Sequence, residues 1–301
     1  MIFEMTYPIT SAAVSSDAKH IATGTKSGSV CVRDLSNGNV VVVNGPLCNN
    51  TSRVVSVGIS PNGQLVGWGD CDSRVLVWNI HNQVIAGPFL GHNSEVNCIV
   101  FTPDNTRIIS SSDSLIYIHD VRSGKAILTL DQKRPSLRQF GLSQDGTRIA
   151  TGSTDGSINV WDSEKGYKVL GPLRGQSKPT ISIAYSPDGT RIISASEANT
   201  ICVWDTQNGN LLVGPFGERD RSPTIIVFST DGTRIVSGFL DGTVFIWEAQ
   251  TGDVVVGPIE GHRKPVTMVS FLSDNSQVIS HSHDGALRIH DVRKVSIPRP
   301  F

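Results

Sequence analysis

Between residues 180 and 215 the chain changes character four times. Thr180-Ile-Ser-Ile-Ala-Tyr-Ser186 alternates apolar and polar positions with period two, as a strand covered on one face does. Pro187-Asp188-Gly189 then reads as a turn: Pro presets φ, Asp bonds the backbone ahead, and Gly tolerates positive φ. A second strand is predicted to start over 191–194 and a third over 200–204. Asn208-Gly209 is a strong short hairpin signal. The fourth strand, over 211–215, ends in Gly-Pro, and a proline that cannot donate suits only a sheet edge. Gly-Pro recurs at 45–46, 87–88, 171–172 and 257–258, so the fourth strand of each unit is predicted to lie outermost.

The same four-strand pattern repeats along the chain. Trp78-Asn79, Trp161-Asp162, Trp204-Asp205 and Trp247-Glu248 each end a β-branched run, with weaker copies at Arg33-Asp34, His119-Asp120 and His290-Asp291. The spacing between these ends averages about 43 residues, so seven repeats fill the 301 residues. This predicts one all-β domain over 1–301, a seven-bladed β-propeller with four antiparallel strands per blade. Repeat ends fall near Asp34, Asn79, Asp120, Asp162, Asp205, Glu248 and Asp291. The last repeat has three good strands, because two prolines spoil 295–301. The N-terminus has one strand too many, ahead of Pro8. Residues 2–7 are therefore expected to form the outer strand of the seventh blade and close the ring.

The chain resembles the WD40-repeat family over essentially its whole length. Besides the Trp-Asp endings, Gly91-His92 and Gly261-His262 match the family's Gly-His. Thr154-Asp155-Gly156, Leu240-Asp241-Gly242 and His283-Asp284-Gly285 match its turn Asp. The resemblance implies a hydrogen-bond chain in each blade through His, a strand Ser/Thr, the turn Asp and Trp, and no repeat here holds the full set. Asp155 precedes Trp161, with Gln132 near the histidine position. Ala198 and Gln176 accompany Trp204, and Glu218 stands at the histidine position ahead of Asp241 and Trp247. His92 with Asp113, and His262 with Asp284, have the reverse defect, since His119 and His290 replace Trp. A narrower resemblance, carried by the recurring Val-Gly-Pro and Ser-Pro-Asp-Gly-Thr-Arg-Ile-Ile-Ser, is to WD40 arrays of mushroom-forming fungi, found with NACHT-type, NLR-like proteins or alone.

Composition narrows the function classes. Lys and Arg number 26 and Asp and Glu 27, a net charge of −1 that argues against a cationic nucleic-acid binder. No apolar run approaches the roughly 18–20 residues of a membrane span, and the first residues lack signal-peptide character, so a cytoplasmic protein is expected. Five cysteines, Cys31, Cys48, Cys71, Cys98 and Cys202, form no CxxC pair and read as free thiols. His281 and His283 could share one side of a strand and are the candidates for metal binding or catalysis. Set against that, the histidines of the seventh repeat read as structural, and no nucleophile elbow, phosphate loop or carboxylate pair is present. No cofactor is expected.

The expected function is a non-catalytic recognition module of one propeller chain, holding a protein partner on a loop face. Loops entering the first strands carry Arg53, Lys133, Arg134, Lys178, Arg219, Arg221, Arg263 and Lys264, against Glu95, Glu218 and Asp220. That excess either attracts an acidic or phosphorylated segment or is ordinary solvated loop charge. Trp68 and Phe239 stand where other repeats have small residues, and either anchor the partner or pack between blades. On the opposite face, Asp104/Arg107, Asp145/Arg148, Asp188/Arg191 and Asp231/Arg234 suggest ion pairs within turns. The rival functions are a small-molecule or glycan binder using the channel or an inter-blade pocket, and an enzyme using the seventh-blade histidines.

Overall fold

The computed structural model describes residues 2–4, 9–15, 17–35, 40–44, 52–80, 83–131, 137–218 and 220–293. They form seven four-stranded antiparallel sheets and no helix, the fold class of a seven-bladed β-propeller. In the fifth blade the strands are Thr180–Tyr185, Arg191–Ser196, Thr200–Asp205 and Leu211–Phe216, in chain order across the sheet. Blades one to six follow the same order over 9–44, 54–89, 98–131, 137–173, 180–216 and 223–259. The third strands end at Asp34, Asn79, Asp120, Asp162, Asp205, Glu248 and Asp291.

The seventh blade is assembled from both ends of the chain. Val266–Phe271, Gln277–Ser282 and Ala286–Asp291 supply three strands, and Ile2–Glu4 pairs antiparallel along the third, with Phe3 opposite Leu287. The described closing strand is three residues long; the rest of the expected 2–7 segment lies outside the described residues, as does 295–301.

Contacts divide the chain into two compact units. One holds blades one to three; the other holds blades four to seven together with the N-terminal strand. Within each unit the core lies between successive sheets. In the larger unit, Ile193, Val203 and Trp204 of blade five and Ile226, Phe239 and Trp247 of blade six are all buried. Gly238 allows the approach of blade seven, because a Cβ there would meet Val266 Cγ1 at 2.5 Å. At the rim, Gly209 sits at φ +76° in its hairpin turn, and a Cβ would meet Leu173 of the preceding blade at 2.5 Å. Burying these β-branched faces, at about 25 cal/mol per Å² of apolar area, is the main stabilising contribution.

The paired Asp and Arg residues of the opposite face are not ion pairs, which corrects the sequence expectation. The carboxylates are taken by the turns themselves. Ser186 Oγ donates to Asp188 at 2.5 Å, and the Thr190 N–H donates to the same oxygen at 3.1 Å. At Asp231, partial burial opposes ionisation, yet the Ser229 and Thr233 donors hold the carboxyl down to about 2. Two of the arginines reach elsewhere: Arg148 to Asp162 at 2.7 Å, Arg191 to the Gly232 carbonyl at 2.7 Å.

Candidate functional site

In a four-stranded antiparallel blade, the turn between strands two and three opens at the same end as the link from strand four into the next blade. Contacts within each unit bring these two loop sets together. Ser196 Oγ donates to the Lys178 carbonyl at 3.0 Å and Ser282 Oγ to the Lys264 carbonyl at 2.8 Å. The Arg263 N–H donates to Asp284 Oδ2 at 2.9 Å. The main chain at this end is thus pinned, while the Lys178, Arg263 and Lys264 side chains are exposed.

Part of the basic excess expected here is neutralised in place. Arg53 makes a two-pronged contact with Glu95, both N–O distances being 2.8 Å. Arg221 pairs with Asp241, which also accepts from Thr243. Lys133, Arg134 and Arg219 lie outside the described residues. Arg174, an exposed cation beside Asp155, was missed in the sequence because it directly follows an outer strand and was not counted with the loops.

Trp68 and Phe239 are buried, which decides between their two readings for packing and against a partner anchor. Trp68 is 7 % exposed and meets Trp78 edge-on at 6.4 Å; Phe239 is 1 % exposed and packs on Phe245 at 5.2 Å. A spacing rule explains Trp68. In blades four to seven a strand hydroxyl lies ten residues before the ring of the third strand and bonds it. The pairs are Thr151 to Trp161 (2.9 Å), Ser194 to Trp204 (2.8 Å), Ser237 to Trp247 (2.7 Å) and Ser280 to His290 (3.0 Å). Trp68 occupies that hydroxyl position ten residues before Trp78, so it is held in the core and the Trp78 Nε1 has no protein partner. The spacing was present in the sequence, although the hydroxyls were not singled out from it.

The same hydroxyls carry the inner networks. In blade seven, Asp284 lies 3.2 Å from His262 Nδ1, His262 Nε2 lies 2.9 Å from Ser280 Oγ, and His290 Nε2 completes the chain. One assignment satisfies every group: His262 donates to Asp284 and accepts from Ser280, and the His290 N–H donates to Ser280 as an indole would. In blade five Gln176 stands for the histidine, with Ser194 donating to its Oε1 at 2.9 Å. In blade three His92 bonds Ser110 and Ser112, at 2.8 and 2.9 Å, and Asp113 is exposed and outside that network, contrary to the sequence expectation. The connecting turn there is one residue shorter, so Asp113 falls 21 residues after His92, where Asp284 falls 22 after His262. Asp155 and Asp241 cap their turns by accepting from Ser157 and Thr243.

Asp284, His262 and Ser280 have the order of a nucleophilic triad, but Ser280 is 0 % exposed and its oxygen is shared by two imidazoles. Burial lowers the pKa of His262 despite Asp284, and takes His290 to about 4. His281 and His283 do not converge, which corrects the pairing considered above. The strand ends at Ser282, so the alternation stops. His281 is buried against Thr267 at 2.8 Å, and His283 is exposed in the turn. Among the described residues no cluster of His, Cys, Asp and Glu could hold a metal ion.

Comparison with known proteins agrees with this repeat anatomy. The family profile described as WD domain, G-beta repeat matches residues 3–34, 84–120, 124–162, 167–205, 220–248 and 254–291, well over half of the chain. The chain belongs to the WD40-repeat family. Blade two, with tryptophan at its hydroxyl position, falls largely between two of these matches. The chain is 27 % identical over 173 residues to pre-mRNA-processing factor 19 of Bos taurus, 56 % of this chain and 34 % of that protein. It is 31 % identical over 105 residues to apoptotic protease-activating factor 1 of Mus musculus, 35 % of this chain and 8 % of that protein. To the guanine nucleotide-binding protein subunit beta of Solanum tuberosum it is 30 % identical over 122 residues, 38 % of this chain and 32 % of that protein. The chain spans about a third or less of the length of these relatives.

Proposed function

We propose that this WD40 protein is a non-catalytic recognition module that binds an acidic protein segment on the loop end of its last four blades. The observation that carries the reading is the pair Lys178 and Lys264. Their carbonyls are fixed by serines of the adjoining turns, and their ammonium groups stand in solvent. Such pinned cations lose little backbone freedom when a carboxylate-rich or phosphorylated strand arrives, and they steer it from a distance. The relatives carry unrelated names although each matches part of this chain's repeat array, which supports recognition rather than a common reaction. The described cysteines are free thiols and support action in a reducing compartment such as the cytoplasm.

The test is titration of an Asp/Glu-rich peptide and its phosphoserine counterpart into wild type and a Lys178→Glu/Lys264→Glu variant, at low and high salt. Wild type is expected to bind at least about tenfold more tightly at low salt, and the variant to lose that gain. Equal binding by both proteins removes the basic loop end from the mechanism.

A further inference from the structure

An arginine followed three residues later by a serine or threonine is a recurring pattern of this chain. Where both ends are described it falls at 53–56, 107–110, 148–151, 174–177, 191–194, 221–224 and 234–237. Most copies come from the repeat itself, because the hub hydroxyl of the second strand stands three residues after the arginine that opens the strand. Ser110, Thr151, Ser194 and Ser237 are 0 % exposed and already serve the blade networks. Ser56 is buried and donates to the Val96 carbonyl at 2.7 Å, and Thr224 donates to the Val266 carbonyl at 2.6 Å. Ser177 differs from all of these. It is exposed, it lies in a link rather than a strand, and its hydroxyl bonds none of the described residues.

The link from blade four to blade five presents this serine to solvent. Arg174, Gly175, Ser177 and Lys178 are exposed, while Gln176 is buried and tied to blade five through Ser194 and Thr200. No N–H of 174–178 donates to a described main-chain carbonyl, so the donors of the segment are open to another chain. An arginine three residues ahead of an exposed hydroxyl suits a kinase whose substrate groove is lined with carboxylates, since guanidinium pairs with carboxylate through two parallel bonds. We propose that Ser177 is a phosphorylation site for such a basic-directed protein kinase, and that its phosphate closes the acidic-segment site of the last four blades. In the reaction, Ser177 Oγ attacks the γ-phosphorus of the nucleoside triphosphate held by the kinase. The new Oγ–P bond replaces the bridging bond to the β-phosphate, the nucleoside diphosphate leaves, and the hydroxyl proton passes to the carboxylate base of the kinase. The product sets about two negative charges beside Lys178. Arg174 and Lys178 are already balanced in number by Asp155, beside Arg174, and by Glu197, whose N–H donates to the Pro179 carbonyl at 3.0 Å. The added charge therefore turns this part of the loop end negative and repels an acidic segment. That consequence rests on the function proposed above; the modification itself does not.

The test begins with folded wild type, Ser177→Ala and Arg174→Ala, each incubated with Mg–ATP and a serine kinase selective for arginine three residues before the hydroxyl. Fragment masses locate the phosphoryl group. Wild type is expected to be modified at Ser177, Ser177→Ala to lose that signal, and Arg174→Ala to be modified at least about tenfold more slowly. The site is overturned if Ser177 stays unmodified in folded wild type, or if Arg174→Ala is modified as fast. The Asp/Glu-rich peptide is then titrated into phosphorylated and unmodified wild type, Ser177→Glu and Ser177→Asn at low salt. The phosphorylated protein and Ser177→Glu are expected to bind at least about tenfold more weakly, and Ser177→Asn to match wild type. Equal binding by phosphorylated and unmodified protein overturns the switch. If unmodified wild type does not bind the peptide at all, the proposed function falls and the switch with it, whereas the phosphorylation site is decided by the fragment masses alone.

Discussion

Blades three and seven both place histidine where the other late repeats have tryptophan, and they resolve the substitution in opposite ways. In blade seven the imidazole of His290 inherits the indole's task and donates to Ser280, which also serves His262 and through it Asp284. In blade three the shorter turn puts Ser110 nine residues before His119, and His119 instead stacks between Phe89 at 4.9 Å and Tyr117 at 5.5 Å. Its Nδ1 has no partner. One residue of turn length therefore separates a polar chain of four groups from an aromatic stack. The blades differ also in assembly, since blade three is continuous and blade seven borrows its outer strand from the other end of the chain.

That borrowed strand gives the largest expected effect. Removing residues 1–8 exposes the Ala286–Arg288 edge and should cost more than about 4 kcal/mol, enough to lower the melting temperature by many degrees. Removing 295–301 should change it little. Similar melts for the two truncations would show that Ile2–Glu4 contributes no closure.

Next in size are the hub hydroxyls. Ser280→Ala strands two buried imidazole nitrogens and should cost about 2–4 kcal/mol, whereas Ser110→Ala strands one and should cost about 1–2 kcal/mol. Urea midpoints in matched buffers measure both. Equal costs would mean that His290 does not depend on Ser280.

Acidification should separate these blades from blade six, which has no histidine. Burial first, then the neighbouring His262, takes His281 and His290 to about 4; burial, then His119, does the same to His92. An imidazole whose folded pKa is depressed stays neutral while the unfolded chain takes up a proton. Stability is therefore complete above about pH 6.5 and falls as pH drops toward 4, at about 1 kcal/mol per unit per imidazole. The carboxylates held low by their turns, such as Asp231 at about 2, add a second loss below about pH 4. Limited proteolysis at pH 5 should cut blade seven, with three such histidines, before blade six. Uniform cutting across the blades would contradict this ordering.

Much of this was legible in the sequence, because a repeat states its rule several times. The strand order, the proline-marked edges and the borrowed N-terminal strand follow from period-two alternation, turn residues and a count of strands at the two ends. What escaped was what depends on a neighbour's side chain. For Trp68 and Phe239 the sequence left two readings open, partner anchor or packing between blades, and only the facing side chains decide for packing. Arg53 and Arg221 look like free cations until Glu95 and Asp241, 42 and 20 residues further on, fold back against them. Asp113 aligned with the family's turn Asp, but a turn one residue shorter carried it to the surface.

The smallest predicted difference tests that last point. Asp284→Asn replaces a carboxylate that accepts from His262, from the Arg263 N–H at 2.9 Å and from the Ala286 N–H at 2.9 Å. The amide can keep one acceptor oxygen for these donors but not the charge, so a loss of about 1–2 kcal/mol is expected. Asp113→Asn changes an exposed group outside the His92 network and should fall within about 0.5 kcal/mol of wild type. Raising Asp113's weight by design is equally direct. Adding one residue to the Ser112–Leu115 turn should let the carboxylate reach His92 Nδ1 and make Asp113→Asn costly in that background. If the lengthened turn leaves Asp113→Asn neutral, turn length is not what separates the two blades, and the stacking of His119 on Phe89 and Tyr117 becomes the cause rather than the consequence.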